Sequence, residues 1–251
     1  VLHADVLAEP PDAFAERLRG RRVADVGRRG KNVVFHLEGG GVLLVNLGMT
    51  GRLLTVAAGG ASTATHPALR FALEGGRTLV YDDVRRFGRV EALDAAGWAE
   101  RSAALGPEPL DPGFTAADLA AGLSRSRSPV RSWLLDQRRV AGVGNIYANE
   151  ALHRAGVHPA RPADSLSREE ARALHRALRA VLREAIRARG TTLRDYRTAE
   201  GGRGGYGVRL RVYGRDGEPC PRCNSAVERL VFANRSAFLC PRCQPGAEPG
   251  S

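Results

Sequence analysis

The sequence lacks long apolar runs and has almost no lysine. No stretch of about 18 apolar residues occurs, which excludes a membrane-spanning helix. No basic segment followed by an apolar stretch stands at the N-terminus, so we expect no secretory signal and a cytoplasmic protein. Of the 38 basic residues only Lys31 is a lysine. Because lysine can lose its proton and arginine effectively cannot, Lys31 is a candidate catalytic residue. The alternative is that a lysine remains at this position by chance.

Acidic residues are too few to balance the basic ones. The chain has 38 lysines and arginines against 27 acids, a net charge of +11. Such a charge favours an extended polyanion as partner, and nucleic acid is the commonest one. The alternative is a biased genome, in which arginines merely decorate the surfaces of helices.

Short β-branched or apolar runs fill the first 93 residues, and glycine pairs or triplets separate several of them. This pattern predicts a sandwich or a barrel, with Gly39 to Gly41 and Gly75-Gly76 as turns and Gly59 to Thr65 as a loop. The predicted strands are Val23 to Val26, Asn32 to Leu37, Val42 to Leu47, Leu53 to Val56, Leu69 to Leu73, Thr78 to Asp82 and Gly88 to Leu93.

A proline-rich stretch at 106–113 marks the clearest boundary, and helices are predicted beyond it. One helix opens at Thr115 with Asp118, and another at Ser128-Pro129. Asn145 can cap a third that ends near Gly156. The strongest pattern is a capping box, Ser167 with Glu170, followed by an apolar stripe that ends before Gly190.

The four cysteines form two Cys-x-x-Cys pairs separated by sixteen residues. They are Cys220, Cys223, Cys240 and Cys243. Tetrahedral zinc needs four soft donors, and a hairpin over Val227 to Phe232 and Ala237 to Leu239 would bring the two pairs together. A closed four-cysteine site leaves no position for substrate, so we predict one structural zinc ion. Arg229 and Arg235 on this hairpin indicate a phosphate contact, with a solvated loop arginine as the alternative for Arg235.

A glycine-rich turn precedes the third predicted helix, within the string from Asp136 to Glu150. Gly142 and Gly144 allow close approach of the backbone to a phosphate, and the N-terminus of the following helix favours negative charge. The alternative for Asn145 is a plain helix cap, which does not exclude a phosphate contact.

The chain resembles the formamidopyrimidine-DNA glycosylase and endonuclease VIII family, and the formamidopyrimidine branch in particular. The motifs that carry the resemblance run in family order along nearly the whole chain: Arg29 to Lys31, Asn46 to Gly51, Asp83 to Gly88, Leu105 to Leu110, Gly142 to Ala148, Gly190 to Leu193, Val212 to Cys220 and the cysteine pairs. The resemblance implies an α+β multidomain fold. Its expected parts are an N-terminal β-sandwich (1–105), a linker (106–113), a helix–two-turns–helix domain (114–197), a flexible connector (198–215) and a zinc ribbon (216–245).

The resemblance also implies base-excision repair of duplex DNA. Family members flip a damaged base, such as 8-oxoguanine or a formamidopyrimidine, out of the helix, remove it and nick the strand by β- and δ-elimination. Lys31 matches the lysine that aids elimination, and Arg235 matches the ribbon arginine linked to δ-elimination and phosphate binding. The residues matched to DNA contacts are His66, Met49, Arg85, Arg86, Phe87, Arg131 and Asn145. Of these, Met49, Arg85 and Phe87 fill the space that the base leaves; without the resemblance, Met49 would be core and Arg85-Arg86 a solvated turn.

The start of the sequence departs from the family pattern. Family enzymes begin Pro-Glu-Leu-Pro-Glu, and their N-terminal proline amine attacks the sugar, whereas this sequence begins Val-Leu-His-Ala-Asp-Val. The nearest similar string, Glu9 to Asp12, is internal, so its prolines have no basic amine. The amine of Val1 is chemically able to attack an aldehyde. A truncation, a misassigned start and a degenerate paralogue all fit this departure.

Two hypotheses follow from these observations. The first is an enzyme, a glycosylase with abasic-site lyase activity whose N-terminal element lies outside the sequence given. The second is an impaired paralogue that binds damaged or abasic DNA. A weaker third is an RNA-binding ribbon protein of translation. For these 251 residues we expect little base excision, exposed apolar surface and an open strand edge. The expected partner is damaged double-stranded DNA, bound by a monomer, with no membrane.

Overall fold

The computed structural model describes residues 1–191, 204–232 and 235–246. The chain divides into two compact units. The first comprises Val1–Ala104 with Arg189–Gly205, and the second Leu105–Ala188 with Tyr206–Ser251. No helix within these described ranges is long and apolar enough to cross a membrane.

The first unit is a sandwich of two antiparallel sheets. Its strands are β1 (Val23–Arg29), β2 (Asn32–Leu37), β3 (Val42–Asn46), β4 (Arg52–Val56), β5 (Pro67–Ala72), β6 (Thr78–Asp82) and β7 (Arg89–Leu93). One sheet has the order β1-β2-β3-β7 and the other β4-β6-β5. Val45 and Val90 of the first sheet share one buried cluster with Leu69 and Tyr81 of the second. The predicted strands and the sandwich are therefore confirmed.

Two helices of this unit were not predicted from the sequence. Helix α1 (Pro11–Leu18) begins with proline at its first position, and its Phe14 enters the core between the sheets. Helix α2 (Ala95–Ala103) is capped by Asp94, whose side chain accepts a hydrogen bond from the Gly97 N–H. At 8 and 9 residues, both are too short for the repeated apolar stripe that predicts a helix from sequence.

The first unit also has the exposed apolar surface that the sequence analysis expected. Strand β1 is a sheet edge, and Val23 and Val26 on it are exposed. An open groove of about 610 Å³ lies beside them and is lined largely by apolar side chains, among them Phe35, Leu43 and Phe71.

The second unit is helical and carries a two-stranded hairpin. Its helices are α3 (Ala116–Leu123), α4 (Val130–Leu135), α5 (Asn145–Ala155) and α6 (Arg168–Arg187), and its strands are β8 (Glu228–Phe232) and β9 (Arg235–Leu239). Capping boxes open α3 at Thr115 and α6 at Ser167, as predicted. One buried cluster joins the four helices, and the hairpin has its own small cluster around the cysteines.

The predicted cap of α5 was wrong by one residue. Gly144, with an extended backbone, is the cap, and no side chain caps this helix. The Asn145 side chain instead donates to the Ser236 carbonyl and accepts from Arg131 and Asn149, so it does not cap the backbone of its own helix. Pro129 likewise precedes α4 rather than opening it. The predicted flexible connector at 198–215 lies partly outside the described residues.

Candidate functional site

Two neighbouring loops of the first unit present three exposed side chains together. Met49 lies in the loop after β3, and Arg85 and Phe87 lie in the loop between β6 and β7. The Arg85 guanidinium stands over the Phe87 ring at 4.5 Å, and its Nη1 lies 3.7 Å from Met49 Sδ. Met49 and Phe87 are 66% and 59% exposed. We call these three residues the wedge cluster. Each of them exposes a large side chain to solvent.

Arg86 and His66 lie beside a cavity of about 510 Å³ in the same unit. Arg86 has a left-handed backbone with φ of 52°, which is strained for a non-glycine residue. Its guanidinium pairs with Asp5 at 3.1 Å and meets His3 Nδ1 at 3.0 Å. The exposed His66 donates its backbone N–H to Asp82 at 2.6 Å. Both candidate residues are therefore held in fixed backbone positions while their side chains reach a concave surface.

Lys31 is exposed at the tight turn between β1 and β2, where Gly30 has a positive φ of 59°. The adjacent Asn32 side chain donates to the Arg29 carbonyl at 3.1 Å and accepts from Asn46 at 2.9 Å. Asn46 in turn accepts from the Gly48 N–H at 3.0 Å. These two asparagines, which the sequence analysis missed, connect the Lys31 turn to the loop of Met49.

Asn145 and Arg131 of the second unit meet at the hairpin. Arg131 is 1% exposed and donates to Asn145 Oδ1 at 2.8 Å and to the Ser236 carbonyl at 2.9 Å. Asn145 Nδ2 donates to the same carbonyl at 3.0 Å. The buried Asn149 adds a bond from the Phe238 N–H at 2.8 Å. The burial of Arg131 favours a role in holding Asn145 and β9 in place over direct contact with DNA.

The charge around this junction is strongly positive. Burial, followed by the positive charge of Arg235, lowers the pKa of Arg131 from its ordinary value. Among the residues that the structure describes, no carboxylate forms an ion pair with Arg131 or with the exposed Arg235. Uncompensated guanidinium groups beside a helix N-terminus form a site that suits an anion such as a phosphate.

A buried carboxylate orients the segment that leads into the ribbon. Glu150 of α5 is 1% exposed and accepts the N–H groups of Arg211, Val212 and Tyr213 at 2.9–3.0 Å. Nothing in the sequence distinguishes Glu150, because a single acid on a helix cannot be told from a solvated residue until its burial is known.

The four cysteines have the geometry of a zinc site. Their Sγ atoms all lie within 4.8 Å of one another, and two of the separations are 3.3 Å (Cys223 to Cys240) and 3.9 Å (Cys220 to Cys243). Tetrahedral bonds of about 2.3 Å to zinc require sulfur–sulfur separations of about 3.8 Å, so the donors fit the ion. His153 Nε2 lies 3.4 Å from Cys220 Sγ, which places a hydrogen-bonding partner beside one thiolate.

Models of three known domains match the chain in order. The formamidopyrimidine-DNA glycosylase N-terminal domain matches residues 1–90, and the H2TH domain of the same enzymes matches residues 105–197. A zinc finger found in FPG and IleRS matches residues 217–246. The chain belongs to the formamidopyrimidine-DNA glycosylase family.

Family members of known sequence align with nearly the whole chain. The formamidopyrimidine-DNA glycosylase of Chloroflexus aggregans is 48% identical over 239 residues, which cover 95% of this chain and 86% of that protein. The enzyme of Thermus thermophilus is 47% identical over 248 residues, with coverage of 97% and 89%.

Solved structures of the formamidopyrimidine-DNA glycosylase family share the fold. The MutM (Fpg) protein of Thermus thermophilus superposes with a TM-score of 0.86 at 45% identity, over 96% of this chain and 88% of that one. The Lactococcus lactis Fpg bound to abasic-site DNA gives 0.89 at 29% identity, over 97% and 90%. The chain is thus a DNA glycosylase of base-excision repair by family, with one structural zinc ion held by its four cysteines.

Proposed function

We propose that the protein removes oxidised purines, 8-oxoguanine and formamidopyrimidines, from duplex DNA and nicks the abasic strand by β- and δ-elimination. The observation that carries the proposal is the wedge cluster. A base that leaves the helix exposes stacked neighbours and an empty space, and apolar or planar side chains must fill that space to offset the lost stacking. Met49, Arg85 and Phe87 offer such a surface already assembled.

The remaining candidate residues fit the same reaction. Lys31 supplies an ammonium that can give up its proton during elimination, when the bonds to the 3′ and then the 5′ phosphate oxygen break. Arg86, Asn145 and Arg235 supply phosphate contacts, and His66 supplies a further contact to the DNA strand. Arg131 supports Asn145 from beneath.

The related structures support this choice of substrate. The Lactococcus lactis protein has been solved with DNA that contains Fapy-dG and with DNA that contains an abasic site. The comparisons give no support to the alternative of an impaired paralogue. We further propose that the protein acts as a monomer on chromosomal DNA in the bacterial cytoplasm.

The proposal is tested with the full-length gene product and an end-labelled duplex that carries one 8-oxoguanine opposite cytosine. The strand is expected to break at the lesion, with both elimination products visible, and the same duplex with guanine is expected to stay intact. Both Lys31→Ala and Lys31→Arg are expected to slow nicking roughly a hundredfold, because general acid–base catalysis typically contributes that much and arginine keeps its proton. Equal treatment of guanine and 8-oxoguanine would contradict the proposed substrate, and full activity of both variants would contradict the role of Lys31.

A further inference from the structure

A buried carboxylate lies beneath the wedge cluster. Asp83, directly after β6, is 1% exposed. Its Oδ1 accepts the Thr50 hydroxyl at 2.5 Å and the Arg85 N–H at 3.3 Å, and its Oδ2 accepts the Tyr81 hydroxyl at 2.9 Å and the Gly88 N–H at 3.1 Å. Four donors on one carboxylate satisfy nearly all of its acceptor capacity, which is how a buried charge is kept in place.

Three of the four donors come from the two loops that bear the wedge cluster, and the fourth, the Tyr81 hydroxyl, comes from β6. Thr50 directly follows Met49, while the Arg85 and Gly88 N–H groups stand on either side of Phe87. The Thr50 hydroxyl also lies 3.3 Å from the Arg85 N–H, so the loops are joined twice at this point. Asp83 is consequently bonded to both loops within one or two residues of every wedge side chain.

Close packing fixes the same two loops around the Tyr81 hydroxyl. A side chain at Gly88 would clash with Tyr81 Oη, and one at Gly51 would approach it to 2.8 Å. A Cβ at Gly48, whose φ is 59°, would lie 2.8 Å from the Gly88 nitrogen. The backbones of the two loops therefore pack directly against each other and against Tyr81 at these glycines.

The contacts among the wedge side chains are too weak to order the cluster without this support. A cation–π contact at an exposed site is weak. An exposed methionine loses considerable rotamer entropy when it is fixed, and this cost outweighs such a contact. The order of the cluster must come from the backbone beneath it.

We propose that Asp83 is a positioning residue that assembles the wedge cluster before DNA is bound. The inference rests on the proposed function, because it assigns to Asp83 the preparation of the surface that replaces the flipped base. A surface assembled in advance avoids the ordering cost at the moment of binding, so it raises affinity for a duplex that already has an empty base position. It adds little to binding of an intact duplex, which depends on phosphate contacts.

The charge of Asp83 is necessary for this role. Burial by itself raises the pKa of Asp83, but the hydrogen bonds from Thr50, Gly88, Tyr81 and Arg85 together bring the pKa below its ordinary value. Asparagine has the same shape, yet its amide nitrogen donates and cannot accept from the donors that face it. Asp83→Asn therefore releases at least one loop without opening a cavity.

The sole methionine of the chain, Met49, is a probe of the cluster that needs no DNA. We would label its methyl group with carbon-13 and compare the NMR resonance and its order in the full-length protein and its variants. Asp83→Asn and Thr50→Val should move the resonance towards that of a free methionine and lower its order. Thr50→Ser, which keeps the hydroxyl, should restore the parent spectrum.

The matched control is Asp94→Ala, which removes the cap of α2 and so destabilises the same unit without touching either loop. This variant should leave the Met49 methyl resonance unchanged. If it shifted the resonance as much as Asp83→Asn does, the shift in Asp83→Asn would reflect general destabilisation of the unit, which would contradict the proposal. An unchanged resonance in Asp83→Asn and Thr50→Val would overturn the proposal.

Binding to two duplexes tests the consequence. One carries a stable abasic-site analogue with a 2-aminopurine beside it, and the other is intact. Asp83→Asn should bind the abasic duplex about tenfold more weakly, equivalent to about 1.4 kcal/mol, with a smaller fluorescence change and nearly parental affinity for the intact duplex. A parental ratio of the two affinities would overturn the proposal. A parent protein with no preference for the abasic duplex would contradict the proposed function instead, and the methyl resonance would still decide the role of Asp83.

Discussion

At the scale of single residues, buried carboxylates organise both units. Asp83 and Glu150 are each 1% exposed, and each accepts backbone N–H groups from a segment that carries candidate DNA contacts or leads to the zinc ribbon. Buried charges are costly unless fully hydrogen-bonded, so their presence here indicates that the geometry they impose matters.

The stabilisation from Asp83 should depend on pH in a defined direction. Its pKa in the folded protein is below the value of about 3.9 for an unfolded aspartate. The unfolded chain therefore takes up the proton first, and the stabilisation is complete above pH 5 and lost as pH falls through the folded pKa. The parent should unfold at a higher midpoint temperature than Asp83→Asn. This difference in midpoint temperature should become smaller as the pH falls from about 5 to about 3. A gap that widens on acidification would contradict the account.

Glu150→Gln should destabilise the second unit. Hydrogen bonds to a charged acceptor contribute about 1.5–3 kcal/mol each, and the amide can no longer accept all three N–H groups, so we expect a loss of about 2 kcal/mol. Denaturant unfolding measures it. The exposed Glu169→Gln on α6 is the control and should change stability by no more than a few tenths of a kcal/mol. Equal behaviour of the two variants would show that the Glu150 contacts do not hold the segment at 211–213.

At the scale of elements, the sequence predicted the regular structure well and the supporting contacts poorly. Strands β2 and β6 and the capping box of α6 have the predicted bounds, because alternation, β-branching and caps are local signals. The same local rule misassigned Asn145, whose amide is engaged by residues far along the chain. Sequence motifs identified Lys31 and the residues of the wedge cluster as candidate site residues. Asn32, Asp83 and Glu150 could be identified only from their burial and hydrogen-bond partners, which a sequence does not show.

Zinc removal should unfold the hairpin and leave the helices. The hairpin has a small core of its own, and two strands alone are marginal in water, whereas the cluster that joins α3 to α6 contains no cysteine. A chelator should therefore change the far-ultraviolet helical signal little but abolish the support that Ser236 gives to Asn145, and DNA affinity should fall. Added zinc should restore it. Undiminished affinity after verified zinc loss would contradict a role of the ribbon in binding.

At the scale of the whole molecule, the net charge of +11 predicts salt-sensitive association with DNA. Arg235 is proposed to contact a phosphate, so Arg235→Ala should lower the slope of log affinity against log salt by about 1. Arg172→Ala, an exposed arginine on α6, is the matched loss of one charge and should leave the slope nearly unchanged. Equal slopes for the two variants would show that Arg235 contributes only as a general surface charge, without a phosphate contact of its own.

The proposed function requires that this protein process damaged DNA as an enzyme and not merely bind it. The most direct measurement is borohydride trapping of the full-length gene product on a duplex with one 8-oxoguanine. Borohydride reduces a Schiff base between a protein amine and the damaged sugar to a stable bond. We expect a covalent protein–DNA adduct on this duplex and none on the guanine duplex. Tight, salt-sensitive binding to the damaged duplex without any adduct would contradict the enzymatic function.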